Sequence, residues 1–261
     1  MTEAEGPLHR AMSLLRVLAS HSRKGVALSQ LTASSGLPHP TVHRLLNQLI
    51  DERLVYRNPD TRRYSLGTLA FELGVAAAQQ FDIRGTCRPV LTRLAMETGD
   101  TAYLVVRSGD EAVCIDRQEG HAPIRVMTLE VGSRRLLGVG AGGLAILSAM
   151  QKTECAAYVD SYHERLEAEN KLPKTILLKS IADAQSNGFS LIKNRITLGT
   201  TAIGCHIRDS LGNPIAAVSI AAINERLDAH NTRLASGEVV AAAKAIEDSL
   251  RSFGSRTSLK L

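Results

Sequence analysis

One stretch, Leu28 to Glu52 (LSQLTASSGLPHPTVHRLLNQLIDE), restricts the possible folds of this chain more than any other. In its second half Val42, Leu45, Leu46, Leu49 and Ile50 recur at i, i+3, i+4, i+7 and i+8, which puts them on one side of a 3.6-residue helix. Thr41, His43, Arg44, Asn47 and Gln48 point elsewhere. The first half reads as a short helix closed by a turn at Ser35-Gly36-Leu37. In such a helix-turn-helix the first helix covers the apolar side of the second, whose polar side stays free to enter a DNA major groove.

Charge follows the same division. Residues 1–66 hold nine Lys or Arg against five Asp or Glu, whereas the rest hold 22 against 21. A basic small segment joined to a nearly neutral large one predicts a phosphate footprint on the first part only. With 261 residues, 44% of them hydrophobic, the chain can build one large or two moderate domains. No apolar run approaches the roughly 18 to 20 residues that span a bilayer. The start, MTEAEGPLHRAM, lacks the apolar region of a signal peptide. The expectation is a cytoplasmic protein with no membrane partner. Cys87, Cys114, Cys155 and Cys205 lie far apart without a CxxC pair and read as free thiols. His39 and His43 have an i, i+4 metal spacing but no third ligand nearby, so no metal is expected.

The flanks of the motif extend it. Leu8 to Ser20 reads as a helix supplying a third wall of the small core, His21 to Gly25 as a polar turn, and Val26 to Leu28 as a short strand. Beyond Glu52, apolar segments at Leu54–Tyr56 and Tyr64–Leu66 flank an Asn58-Pro59-Asp60-Thr61 turn and predict a β-hairpin wing. Arg57, Arg62 and Arg63 lie on or beside that wing, where guanidinium groups reach phosphate or a minor groove. Thr68 to Gln80 is rich in small apolar residues, with Leu69, Leu73 and Ala76 at helical spacing. It predicts a linker helix whose face can meet a second copy, as paired DNA half-sites require.

From Arg84 the pattern changes. Helices are predicted over Arg84–Thr98, Leu144–Met150, Thr153–Glu169, Lys174–Asn187 and Glu238–Phe253. Strands are predicted over Thr101–Arg107, Glu111–Arg117, Ile124–Val131, Ser190–Thr197, Thr201–Arg208 and Ile215–Ala222. Gly109-Asp110 is a strong hairpin signal. Meandering strands with helices between them give an α+β class with an antiparallel sheet.

The loop Gly138-Val139-Gly140-Ala141-Gly142-Gly143 contains G-x-G-x-x-G ahead of a helix. A dinucleotide fold needs that loop in the first turn of a parallel βαβ unit, with an acidic residue about 20 positions later. Asp160 is near that distance but falls inside a predicted helix. The less demanding reading is an anion cradle, in which glycines permit close approach and free N–H groups of the helix start attract a small carboxylate. Ser219 and His206 are candidate hydroxyl and imidazole donors to that acid. No nucleophile elbow, HExxH sequence or paired-carboxylate spacing appears, and neither catalytic residues nor a cofactor are expected. Two other classes compete: a nicotinamide-dependent enzyme using the glycine loop, and a ligand-independent architectural DNA binder.

The run LPHPTVHRLLNQLIDERLVYRNPDTRRYSLG resembles the signature of the IclR (isocitrate lyase regulator) family of bacterial transcription regulators. The R-D-x-x-G turn and A-A-x-S strand between Gly199 and Ser219 add weaker support. The resemblance runs from Leu8 to about Phe253. It implies a winged helix-turn-helix over residues 1–66, a linker helix over 67–83, and a GAF-like effector domain over 84–261. It further implies homodimers or tetramers on palindromic double-stranded operators. Expected DNA contacts are Arg10, His39, Thr41, His43, Arg44, Arg57, Arg62 and Arg63. The family's Lys-Ser is replaced by His39-Pro40, which predicts a recognition helix beginning later than usual, because a residue before proline is biased away from helical angles.

The family's effector loop aligns with Gly138 to Ala145, so the resemblance implies Leu137, Gly142 and Gly143 at the ligand. Thr200, Thr201, Ala202, His206 and Ser219 complete the expected site. The family's pocket cysteine falls on Ala202 and an acidic position on Ile192, predicting a less polar pocket suited to a small organic acid with an apolar or aromatic body.

Overall fold

The computed structural model describes residues 6–20, 25–78 and 83–257. Two compact units divide the chain, residues 1–82 and 83–261.

In the first unit the elements are α1 (Pro7–Ser20), α2 (Leu28–Ser35), α3 (His39–Asp51), β1 (Val55–Arg57), β2 (Tyr64–Leu66) and α4 (Thr68–Ala78). One core joins all of these but α4. Leu14 and Leu18 of α1, Leu31 of α2, and Val42, Leu45, Leu46 and Leu49 of α3 meet Val26, Val55 and Tyr64. The i, i+3, i+4, i+7 set is therefore the buried side of α3, and Ile50 packs at its margin. Gly36 ends α2 at φ 65°, with its N–H on the Thr32 carbonyl at 3.1 Å, a left-handed closure that favours glycine. β1 and β2 form the antiparallel wing. Asn58 Oδ1 fixes the wing's turn by accepting from the backbone N–H groups of Asp60 and Thr61, both at 2.9 Å.

Two expectations for this unit are corrected. The segment 26–28 contributes only an isolated bridge between Val26 and Tyr64, because Leu28 already opens α2. Gln30 Oε1 accepts the Ala27 N–H at 3.2 Å and starts the helix there. Nor does α3 begin late. Extended Pro38 caps it, its carbonyl accepting from Thr41 N at 2.9 Å and Val42 N at 3.0 Å. Pro40 sits in the first turn, where a missing N–H leaves no hydrogen bond unmade. Of the expected linker helix, Gln79 and Gln80 lie outside the described residues, as does the turn at 21–24.

In the second unit follow α5 (Ile83–Thr98), β3 (Thr101–Ser108), β4 (Glu111–Gln118), β5 (Arg134–Leu136), α6 (Ala141–Ala149), α7 (Lys152–Asn170) and α8 (Lys174–Asn187). Then come β6 (Ser190–Lys193), β7 (Thr200–Arg208), β8 (Pro214–Ile223) and α9 (Ala229–Thr257). The six strands form one antiparallel sheet in the order β5-β4-β3-β8-β7-β6. Alternation along each strand sorts side chains to two cores. Leu104, Ile203, Cys205, Ile207, Val218 and Ile220 face α5 and α9. Tyr103, Val105, Ala217 and Ala221 face α6, α7 and α8.

Four expectations are corrected here. Residues 124–131 form no strand. They are held instead by side chains: Tyr103 Oη donates to the Val126 carbonyl at 2.6 Å and accepts from Thr128 N at 3.1 Å, and Arg117 Nη1 donates to the Leu129 carbonyl at 3.3 Å. The third strand of that half is β5. The strand from Ser190 stops at Lys193 because Asn194 turns left-handed at φ 57°, its Oδ1 accepting from Gly199 N at 2.9 Å and Asn224 Nδ2 at 2.7 Å. The helix after the glycine loop starts at Ala141, so Gly142 and Gly143 lie in its first turn. The closing helix begins at Ala229, nine residues earlier than its apolar pattern suggested.

Candidate functional site

The exposed side of α3 carries His39, His43, Arg44, Asn47 and Gln48, with Thr41 half-buried at its edge. Asn47 Nδ2 lies 3.5 Å from His43 Nδ1, so these two side chains share one ridge. Arg44 makes no ion pair among the described residues. On the wing, Arg62 occupies the turn at φ 54° and is exposed. Arg57 stacks on the Tyr64 ring at 5.6 Å. Arg63 is already engaged, its Nη1 donating to the Gly25 carbonyl at 2.9 Å. Arg10 is half-buried on α1. Among the described residues no cluster of His, Cys, Asp or Glu suits a metal ion, and no helix is long and apolar enough to cross a membrane.

In the second unit, the first turn of α6 is pressed onto the sheet. Gly204 of β7 lies under it, and Ser190 Oγ donates to the Ala141 carbonyl at 2.7 Å while lying 3.1 Å from the Gly204 carbonyl. Gly138 and Gly140 make the approach with φ of 90° and 80°. Gly140, at the N-cap, has no side chain to cap the helix. The N–H groups of this turn therefore carry partial positive charge with no internal acceptor.

Beside that turn is a cavity of about 40 Å³. Gly142 and Gly143 border it from α6, and Thr200, Ala202 and Ser219 from β7 and β8. Val105, Val139, Ile192 and Ile196 make apolar walls, and Tyr103, Thr128 and Leu129 complete them. The Ser219 hydroxyl makes no hydrogen bond among the described residues, although the residue is only 5% exposed.

Three expected members lie elsewhere. Thr201 has the opposite strand parity from Thr200 and Ala202, so it points toward α5 and α9 and donates to Asn224 Oδ1 at 2.7 Å. Leu137 is fully buried behind the loop, its carbonyl accepting from Tyr158 Oη at 3.0 Å. His206 shares the cavity's side of β7 but faces a separate recess with Ser148, Gln185 and Arg208. Burial, and then the nearby Arg208 charge, hold its imidazole below the ordinary histidine range.

Among the lining residues that escaped the sequence reading are two cations, Arg135 and Arg195. Burial depresses both guanidinium groups, yet arginine stays charged at neutral pH. The Ile192 and Ala202 walls are apolar as expected, but the two cations make the cavity more polar than those positions alone implied.

The glycine loop leads into α6 from β5, an antiparallel edge strand. Asp160 is occupied within α7 by Lys174 at 2.8 Å. This is not the parallel βαβ frame a dinucleotide requires.

Comparisons with known proteins agree with this architecture. The sequence profile described as the IclR helix-turn-helix domain matches residues 7–59, and that described as bacterial transcriptional regulator IclR C-terminal matches residues 75–248. The HTH-type transcriptional regulator KipR of Bacillus subtilis is 29% identical over 222 residues, covering 83% of this chain and 86% of that protein. The HTH-type transcriptional repressor AllR of Escherichia coli is 25% identical over 254 residues, covering 97% of this chain and 90% of the repressor. The fold is also that of an IclR homologue from Microbacterium hydrocarbonoxydans crystallised with 4-hydroxybenzoate, at 20% identity and a TM-score of 0.72, over 95% of this chain and 100% of the other. These matched families and relatives are transcriptional regulators, not enzymes. With both halves matched and the profile of the second unit alone spanning most of the sequence, the chain belongs to the IclR family of bacterial transcriptional regulators.

Proposed function

We propose that this regulator is ligand-responsive: a small organic acid with an apolar or aromatic body occupies the cavity beside α6 and changes how the helix-turn-helix engages operator DNA. The observation that carries this reading is the pairing of apolar walls with an uncapped helix start and with arginines that have no acidic partner. Such a site favours an anion whose remainder is hydrophobic, and from about 40 Å³ it must open further to enclose one. The 4-hydroxybenzoate bound by the Microbacterium homologue is an acid of that kind. Gly142, Gly143, Thr200, Ala202 and Ser219 are the proposed contacts.

On the DNA side, Thr41, His43 and Arg44 of α3 read base edges or adjacent backbone, with His39 at the helix start. Arg10, Arg57, Arg62 and Arg63 set register on phosphates. Residues 1–66 are the DNA-binding domain, 67–83 the connector and 84–261 the effector domain, working in the cytoplasm. A homodimer, or a pair of dimers, is supported by α4, which has no buried residue among those described. Phe71 is 73% exposed, and Leu73 and Val75 beside it are also exposed, an apolar face that needs a covering surface.

Fluorescence anisotropy with the protein's own upstream DNA tests the reading. Titrating 4-hydroxybenzoate and other apolar-bodied acids is expected to shift operator affinity by fivefold or more, on the order of the usual coupling between two sites. An affinity that no acid in the panel moves would overturn it.

A further inference from the structure

Arg134 and Arg135 are consecutive on β5, and their surroundings differ. Arg134 Nε lies 2.8 Å from Glu111 Oε2, and its Nη2 donates to Ser108 Oγ at 3.0 Å. Arg135 points into the cavity. Its one hydrogen bond among the described residues runs from Nη2 to the Thr128 carbonyl at 2.5 Å, and no carboxylate among them lies within ion-pair distance. Arg195, just beyond β6, repeats the situation: its Nη1 and Nη2 reach Ser180 Oγ at 3.4 and 3.3 Å, and it too has no carboxylate partner.

The cavity lining contains no Asp or Glu. It therefore holds two positive charges and the first turn of α6 with nothing negative against them. Partly buried charges are held this way at a cost in stability unless a counter-charge arrives. The placement matters as much as the number. β5 and β6 are the two opposite edges of the six-stranded sheet, so the arginines enter one cavity from different sides. Gly140 brings the α6 start close to Arg135: a Cβ there would sit 3.7 Å from Arg135 Nη1. Arg195 has no such company. Val105, Ile192 and Ile196 supply apolar wall to the same cavity.

We infer that the cavity, which at about 40 Å³ must widen to admit a ligand, takes a dicarboxylate, one carboxylate held between Arg135 and the α6 start, the other at Arg195, with an apolar spacer against Val105, Ile192 and Ile196. This rests on the effector reading above and narrows it from acids in general to acids with two negative ends. A single small anion satisfies one guanidinium and leaves the other unneutralised, whereas a spaced diacid neutralises both and excludes water from the apolar walls.

Isothermal titration calorimetry on the intact protein tests this with succinate, glutarate, adipate and terephthalate, each against its monomethyl ester, and with inorganic phosphate as a compact dianion. At least one diacid is expected to bind about tenfold or more tightly than its monoester, the loss of one charge-assisted carboxylate contact. Arg135→Met and Arg195→Met should each abolish that preference. Arg135→Lys and Arg195→Lys, which keep the charge and disturb the packing less, should retain part of it. Thermal unfolding without ligand should show every variant folded, because each Met substitution removes an uncompensated charge. Monoesters that match their diacids, a preference that survives the substitutions, or phosphate that binds as well as the best diacid would each overturn the inference. If no diacid binds while a monoacid still shifts operator affinity, the two-ended site fails and the effector reading stands. If no acid of either kind acts, both fail.

Discussion

Gly204 lies directly under Ala141: a Cβ added to this glycine would come within 2.8 Å of the carbonyl carbon and oxygen of Ala141 and 3.0 Å of the Gly142 nitrogen. These are backbone atoms at the start of α6, so they cannot swing aside as a side-chain tip does. Gly204→Ala is expected to push α6 off the sheet, lowering stability by about 1–3 kcal/mol and abolishing the response to acids. Gly237→Ala in α9 is the control. It meets nothing within 4 Å and should raise the melting temperature slightly through helix propensity.

Arg44 and Arg63 are predicted to behave differently although both were expected at DNA. Arg44 is exposed and unpaired among the described residues, so Arg44→Ala should weaken operator binding and reduce the slope of log affinity against log salt by about one. Melting temperature should not change. Arg63 ties the wing to the Gly25 carbonyl, so Arg63→Ala should lower the stability of the protein as well as its operator affinity. An unchanged salt slope for Arg44→Ala would remove α3 from the interface.

Much of the fold was legible in the sequence because local patterns carry it. Lys174–Asn187 and the hairpin at Gly109 were readable from periodicity and turn residues alone. The segment 124–131 was not, because its order comes from the Tyr103 hydroxyl and the Arg117 and Arg135 guanidiniums, all remote in sequence. Arg135 and Arg195 gave no local signal, since only the closing of the sheet's two edges over one cavity brings them together. Thr201 should have been excluded: strand parity separates it from Thr200 and Ala202 without any coordinates. His206 has the right parity but stands four residues along β7 from Ala202, roughly 13 Å, which is too far to share the cavity.

Tyr103 anchors the segment that covers the cavity. Tyr103→Phe removes both the bond to the Val126 carbonyl and that from Thr128 N, leaving buried partners unsatisfied at a cost of about 1–3 kcal/mol. Hydrogen exchange should rise at residues 126–130, and affinity for acids should fall while ligand-free operator binding persists. Exchange unchanged in that segment would show that the arginines alone hold it.

Cys114 and Cys205 predict an alkaline limit to stability. Burial raises each thiol from an ordinary value near 9 to about 11. A pKa raised on folding contributes stability that is complete below the unfolded value and lost as pH climbs through the folded one. Stability should therefore fall between about pH 9 and pH 11, by up to the order of 2 kcal/mol per thiol. Cys114→Ala should flatten that decline in a pH series of denaturant titrations. Both thiols should also resist iodoacetamide at pH 8 until the chain unfolds.

Arg53 joins the end of α3 to the start of α4. Its left-handed backbone (φ 57°) turns its carbonyl to accept the Leu69 N–H at 3.1 Å, while its guanidinium grips Thr68 Oγ1 at 3.2 Å and Glu72 Oε1 at 2.7 Å. Gly67 is packed so closely that a Cβ would come within 2.8 Å of the Arg53 carbonyl carbon. The angle between α3 and α4 is thus set by chemistry at the joint. If the chain pairs through α4 as proposed, each α3 is carried as a rigid extension of that helix, and only the spacing between the two extensions is left to vary.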